Sequence, residues 1–284
     1  MKNSIIRHLI NLGFCAMLFA WGAPVHGMEP SETIRINGSG CSFALMKPLI
    51  DAYRSEHPQQ NFELENPLGS SGAIKALLAG ALDFAVSSRP LRPGEREQGA
   101  TTYEYGRTPL LIVTEHRVPK SDISTRELEN IYAGRVRTWI DGERIRVVLR
   151  PKDDSDTAIL NGFSPGLAQA LETARAQPGM IVAETDPESN ALIARLPGAI
   201  GAAALCGIKG DYTPLNMLSL NGIAGTPATL ADGSYPLAKS FHLVTSSGTS
   251  ATARKFLDFI HSPQGRKIAE EAGVLVNTGK DPAQ

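Results

Sequence analysis

The sequence predicts an α/β protein built as two lobes joined by two chain crossings, with a cleft between the lobes. Three observations predict this. Strand-like and helix-like segments alternate from residue 34 to residue 86. The alternation restarts after the apolar run 110–114. A return strand at 241–245 precedes the last two helical patterns and carries them back to the first lobe. The lobes are therefore assigned to 28–112 plus 241–284 and to 113–240, with crossings near 108–114 and 235–245.

The chain has 284 residues, 42% hydrophobic and 20% charged, which suits a globular core. Its first 27 residues read as a cleaved secretory signal: Lys2, Arg7 and His8, then a short apolar run, then Val25-His26-Gly27. No later segment approaches the roughly 20 apolar residues of a membrane span. Removing the signal leaves 26 basic against 29 acidic residues, a formal charge of -3. A weakly acidic chain without charge blocks argues against nucleic acid and anionic membranes as partners. Cys41 and Cys206 lack metal-site spacing and read as two small buried thiols.

In order, residues 34–36 alternate as a first strand, and Asn37-Gly38-Ser39-Gly40 breaks it. Leu45, Leu49, Ala52 and Tyr53 then recur at helical spacing, with Pro48 expected in the first turn. Residues 62–64 form a second strand, and Ile74, Leu77, Leu78 and Ala81 line a helix after Gly69-Ser70-Ser71-Gly72. Residues 83–86 form the third strand, so the first lobe expects a mostly parallel sheet. In the second lobe, Ser124 with Glu127 fits a capping box and Gly134 closes that helix. Strands follow at 145–149, 199–205 and 215–220, the last stopped by Asn221-Gly222. Ser164-Pro165 and Asp186-Pro187 read as helix caps with proline behind them, and Ser155-Asp156-Thr157 opens another helix. Phe256, Phe259 and Ile260 mark the inner face of the penultimate helix, and Ser262-Pro263 opens the last.

Three segments share one design, a strand, a Gly/Ser/Thr loop and a helix: Gly38-Ser39-Gly40-Cys41-Ser42-Phe43, Gly69-Ser70-Ser71-Gly72 and Asp154-Ser155-Asp156-Thr157. A helix start presents free N–H groups and partial positive charge, which suits an anion. Hydroxyls add neutral donors. Lys75, placed in the first turn of its helix, opposes the dipole unless an anion lies nearby. Any one loop is explained by plain capping alone. Arg89 and Arg150 beside two of the loops favour an oxyanion, although Arg89 reads equally as half of a surface salt bridge. The histidines His57, His116, His242 and His261 are scattered, and no Walker loop or nucleophile elbow is present. Tyr53, Tyr132 and Trp139 read as core or hinge packing. No cofactor and no catalytic group are expected.

The motifs GSGCSF, GSSGAIKALLAGALDFAVSSRPL, IYAGRVRTWIDG, RPKDDSDT and LPGAIGAAAL, in this order, resemble the periplasmic phosphate-binding proteins of ABC importers. The resemblance spans most of residues 33–280 and implies a two-lobed, type 2 periplasmic-binding-protein fold. It implies an exported monomer that captures phosphate or a related tetrahedral oxyanion and delivers it to an inner-membrane permease. It implies a site of Ser42, the Phe43 N–H, Ser70, Ser88, Ser155 and Thr157, with Arg150 as the cationic partner. The residues themselves add Ser71, Gly72 and Arg89. Two departures from the family pattern stand out. Ser88 occupies the place of a proton-accepting acid, and Asp156 occupies the place of glycine. Asp156 either caps its helix or shares a proton with the ligand. A sensor or adaptor of the same fold, and a serine-based hydrolase, are the competing functions.

Overall fold

The computed structural model describes residues 32–279, so the signal segment lies outside the described residues. The elements run β1 (Ile34–Gly38), α1 (Gly40–Glu56), β2 (Phe62–Glu63), α2 (Gly69–Leu78), β3 (Phe84–Ser87), α3 (Pro93–Glu97) and β4 (Thr101–Glu115). They continue β5 (Asp122–Ile123), α4 (Thr125–Tyr132), β6 (Arg146–Leu149), α5 (Ser155–Phe163), α6 (Pro165–Arg175), β7 (Ile181–Val182) and α7 (Asp186–Arg195). The chain then adds β8 (Ala199–Ala204), α8 (Leu205–Asp211), β9 (Leu215–Leu220), α9 (Pro227–Ala231), β10 (Ala238–Thr245), α10 (Ala251–His261), α11 (Pro263–Glu271) and β11 (Leu275–Val276).

One sheet links them in the order β2-β1-β3-β10-β4-β8-β6-β7, with β11 and β9 also on β4 and β5 on β9. The outer pairs are parallel, as the strand–helix alternation requires. Every pairing made by β4 or β10 is antiparallel, so the expected parallel sheet holds only on either side of these two strands. β4 is a 15-residue strand, far longer than the run 110–114 suggests. Its first part pairs β10 as far as Pro109, and from Leu110 onward it pairs β8.

The same strand divides the core. Leu110 to Val113 join a cluster with Leu128, Tyr132, Leu167, Leu171 and Ile200. Tyr105 joins another with Leu45, Leu49, Phe84, Phe241 and Phe256. Tyr53 sits edge-on to Phe62, Phe256 and Phe259 at 5.1 to 6.0 Å, so its role is packing. Trp139 is buried and donates its indole N–H to the Gly198 carbonyl at 3.0 Å. Cys41 and Cys206 are both free and buried, as the spacing suggested, and burial pushes the Cys41 thiol up to about 11.

Three local expectations are corrected. Pro48 lies inside α1 because the helix starts at Gly40, immediately after Ser39. An interior proline costs about 3 kcal/mol. Full burial of Leu45, Met46 and Leu49 offsets that cost, at about 1.5–3 kcal/mol per side chain. Lys75 falls in the last turn of α2, where a cation complements the dipole, because α2 starts at Gly69. The cap of α7 is Thr185, whose hydroxyl accepts the Glu188 N–H at 3.3 Å, which frees Asp186 for other contacts. Ser124, Ser164 and Ser262 cap as the sequence indicates. Among the described residues, no helix is long and apolar enough to cross a membrane.

Candidate functional site

A cavity of about 310 Å³ is lined by the starts of α1, α2, α5 and α7, with Arg89 and Arg150 on its wall. Of the predicted residues, Ser70, Ser71, Gly72, Arg89, Arg150 and Ser155 face it. Ser42, Phe43, Ser88, Asp156 and Thr157 do not line it. Lys75 is exposed and stands away from it.

Phe43 is the fourth residue of α1, so its N–H is spent inside the helix, and the hydroxyl residues are held by bonds within the wall. Because α1 begins at Gly40, Ser42 is already inside the first turn, where its hydroxyl donates to the Ser39 carbonyl at 2.7 Å. Ser39 and Gly40 take the wall position instead. Ser88 donates to the Ser39 hydroxyl at 2.6 Å, and its backbone N–H donates to the Ser70 hydroxyl at 2.9 Å. Thr157 donates to the Pro151 carbonyl at 2.8 Å and accepts from Arg175 at 3.0 Å.

The helix starts divide into two kinds. Among the described helices of eight residues or more, α4, α5, α6, α7, α10 and α11 begin with a side-chain cap. α1 and α2 begin with none, and both open on the cavity. Their first-turn N–H groups thus have no side-chain acceptor, although the Ser42 N–H donates to the Ser39 carbonyl at 3.0 Å. Gly69 makes the uncapped start of α2 possible, since its φ of +70° is a left-handed turn into the helix that a side chain would strain. The third loop differs. Asp154 caps α5 by accepting the Asp156 N–H at 2.9 Å, so capping already uses that start.

The two arginines differ as well. Arg89 holds Glu95 through both terminal nitrogens, at 2.6 and 2.9 Å, and donates to Ser71 at 3.0 Å. The salt-bridge reading of Arg89 is thus realised, and the pair holds the Glu95 carboxyl below its usual range. Arg150 is buried and donates to the Ala183 carbonyl at 2.6 Å. Its other terminal nitrogen lies 2.9 Å from Asp154 and 3.5 Å from Asp186. Its Nε is buried without a hydrogen-bond partner, 4.0 Å from Asp156.

Behind Arg150 stands a group that the sequence reading missed. Lys239, fully buried on β10, lies 2.5 Å from Asp186 Oδ1 and 2.6 Å from Asp156 Oδ1. Asp186 accepts a hydrogen bond from the ammonium, whereas the Asp156 oxygen makes an ion contact without hydrogen-bond geometry. Burial pushes the Asp156 carboxyl up to about 7, against the pull of Lys239. Lys239 and Arg150 together hold Asp186 below its usual range, despite its burial. The two carboxylates hold Lys239 well above the ordinary lysine range. Gly40 lets α1 approach this cluster, since a Cβ there would stand 2.9 Å from the Asp186 backbone nitrogen. The available sequence signal was a single lysine in the apolar stretch Leu237-Ala238-Lys239-Ser240-Phe241. Asp186 was hidden by its resemblance to a cap. Among the described residues, no group of His, Cys, Asp and Glu could hold a metal ion.

The fold and this cavity define a two-lobed ligand-binding architecture, and the comparisons give the family. The chain belongs to the PBP superfamily, whose domain model matches residues 24–264. It is 26% identical over 214 residues to the phosphate-binding protein PstS of Borreliella burgdorferi, covering 73% of this chain and 77% of that one. A Clostridium perfringens structure with bound phosphate superposes with TM-score 0.74 at 21% identity, over 87% of this chain and all of that one. An ABC-type phosphate transport receptor from Vibrio cholerae superposes with TM-score 0.62 at 20% identity, over 86% of this chain and all of that one.

Proposed function

We propose that this chain is an exported solute-binding protein that captures phosphate or a related tetrahedral oxyanion and hands it to an ABC importer. The signal is residues 1–27, and the lobes are 28–112 plus 241–284 and 113–240. The ligand sits in the cavity between them. One observation carries this reading: the two long helices without side-chain caps both open on one hydroxyl-lined cavity beside a buried arginine. Free N–H groups from α1 and α2, the hydroxyls of Ser39, Ser70, Ser71 and Ser155, and the Arg150 guanidinium make a donor-rich cage. The phosphate-binding relatives support the choice of anion. The protein works as a binder, without turnover.

A sensor or adaptor of the same fold is the second reading, and one observation favours it. Asp154 and Asp186 already neutralise Arg150, so the cage carries more carboxylate than a bare anion site needs. Hydrolysis fares worse, since none of the described histidines lines the cavity to serve as base.

Calorimetry on the mature protein separates these readings. Binding of phosphate or arsenate with a released product undetectable supports the first. Failure of phosphate, arsenate, sulfate and molybdate to bind removes it.

A further inference from the structure

We propose that the buried Lys239–Asp156–Asp186 cluster couples anion capture to the uptake of one proton, which comes from solvent and lands on Asp156. This rests on the oxyanion reading of the cavity and goes beyond it.

The geometry separates two layers of charge. Arg150, Asp154 and Asp186 line the cavity, while Asp156 and Lys239 lie directly behind them. With every group ionised, three carboxylates face two cations, so the cluster is one negative charge in excess before any ligand arrives. An oxyanion beside Arg150 adds negative charge to a dry site where like charges repel strongly. Protonation of one carboxylate relieves that repulsion, and the surroundings select which. Asp186 accepts a hydrogen bond from Lys239 and faces Arg150. Asp154 is bound by Arg150 at 2.9 Å and by the Asp156 N–H. Asp156 has only the ion contact to Lys239 and a 4.0 Å approach to Arg150.

The groups facing Asp156 from each packed element are few. Lys239 comes from β10 and Asp186 from α7. The Cys41 thiol on α1 feels both carboxylates and stays protonated. Arg175 on α6 is turned to Thr157 and the Arg150 carbonyl. Arg150 and Asp154 belong to the segment of Asp156 itself. Burial already favours the protonated form of Asp156, so binding completes a protonation that the fold has prepared.

The assignment also gives a use to the serine at position 88. Its hydroxyl is spent on Ser39 behind the wall, so it supplies no acid to the ligand. The proton that accompanies the anion is held by the protein, on the opposite side of the cavity.

The test is phosphate calorimetry at pH 6 and pH 8, in pairs of buffers with different protonation enthalpies, on wild type, Asp156→Asn and Asp156→Ser. The titration of phosphate itself is common to all three. The expected result is about one more proton taken up by wild type at pH 8, shrinking toward pH 6. Wild-type affinity should also fall about tenfold per pH unit relative to the variants above pH 7. Equal proton counts overturn the inference and leave the oxyanion reading standing. Absence of binding by phosphate, arsenate, sulfate and molybdate to wild type overturns both. If neither variant folds, carbon NMR of wild-type aspartate carboxyls decides. A carboxyl midpoint that moves upward on adding phosphate supports the inference, and unchanged midpoints overturn it.

Discussion

The two walls of the cavity are built on opposite principles. The wall from α1, α2 and the end of β3 is neutral at its surface. Ser39, Ser70 and Ser88 bond one another in a short chain, Arg89 is spent on Glu95, and two helix starts are left open. The wall from β6, α5 and α7 is ionic. Arg150 and Lys239 are surrounded by Asp154, Asp156 and Asp186, and its helix starts are capped. A neutral wall offers donors whose strength does not depend on pH. An ionic wall has to exchange internal partners for the ligand, so its affinity depends on protonation and on what each charge leaves behind.

The largest expected difference follows from Lys239. Lys239→Met leaves Asp156 and Asp186 buried without their shared cation, and removing one partner of a buried pair costs about 3–5 kcal/mol. The urea midpoint at pH 7 should fall accordingly, and the loss should be larger at pH 8 than at pH 6, because above 7 wild-type Asp156 ionises against Lys239 and the variant's does not. A loss that is the same at both pH values would place the effect in packing alone.

The second difference is a slope. The Asp156 carboxyl titrates near 7 in the folded chain and near 4 in the unfolded one. Between these values the folded state holds the extra proton, so stability falls as pH rises, by up to about 1.4 kcal/mol per unit. Asp186 has the opposite sign: its contribution is present above about 4 and is lost below that, outside this window. Chemical denaturation between pH 4.5 and 7.5 should therefore show a falling component in wild type that Asp156→Asn lacks. Subtracting the variant cancels His242, whose burial lowers its titration. Parallel curves would contradict the assignment.

Gly40→Ala probes the contact between the walls. The added Cβ would stand 2.9 Å from both the Asp186 backbone nitrogen and its Cβ, so overpacking should cost about 1–3 kcal/mol in thermal or urea unfolding. The smallest effect belongs to the neutral wall. Ser70→Ala removes the acceptor of the Ser88 N–H and should cost about 1 kcal/mol in stability, equally at pH 5 and pH 8.

The same contrast explains what was legible in the sequence. Ser70, Ser71, Gly72 and Ser155 could be placed on the cavity because glycine and hydroxyl clusters mark helix starts locally. Arg150 followed from its nearness to one of them. Lys239 and Asp186 are brought to Asp156 by pairing across 83 and 30 positions of chain, which no local pattern records. Their separation is bridged by α5 packing against β10 and by the starts of α5 and α7 lining one cavity. The long β4 was half hidden for a related reason. Only residues 110–113 are continuously apolar, while its earlier part, residues 101–109, mixes threonine, charge, glycine and proline, and its partner, β10, comes much later. Asp156 was visible as a departure from the family pattern, yet its use depends on a lysine that only the fold supplies.

The central claim is that the open starts of α1 and α2 and the ionic wall enclose one oxyanion. The most direct measurement is a crystal structure of the mature protein grown with phosphate. Phosphate should sit in the cavity, held by the N–H groups of Ser70 and Ser71 and facing Arg150 and Ser155. Phosphate bound elsewhere, or an empty cavity at saturating phosphate, would contradict it.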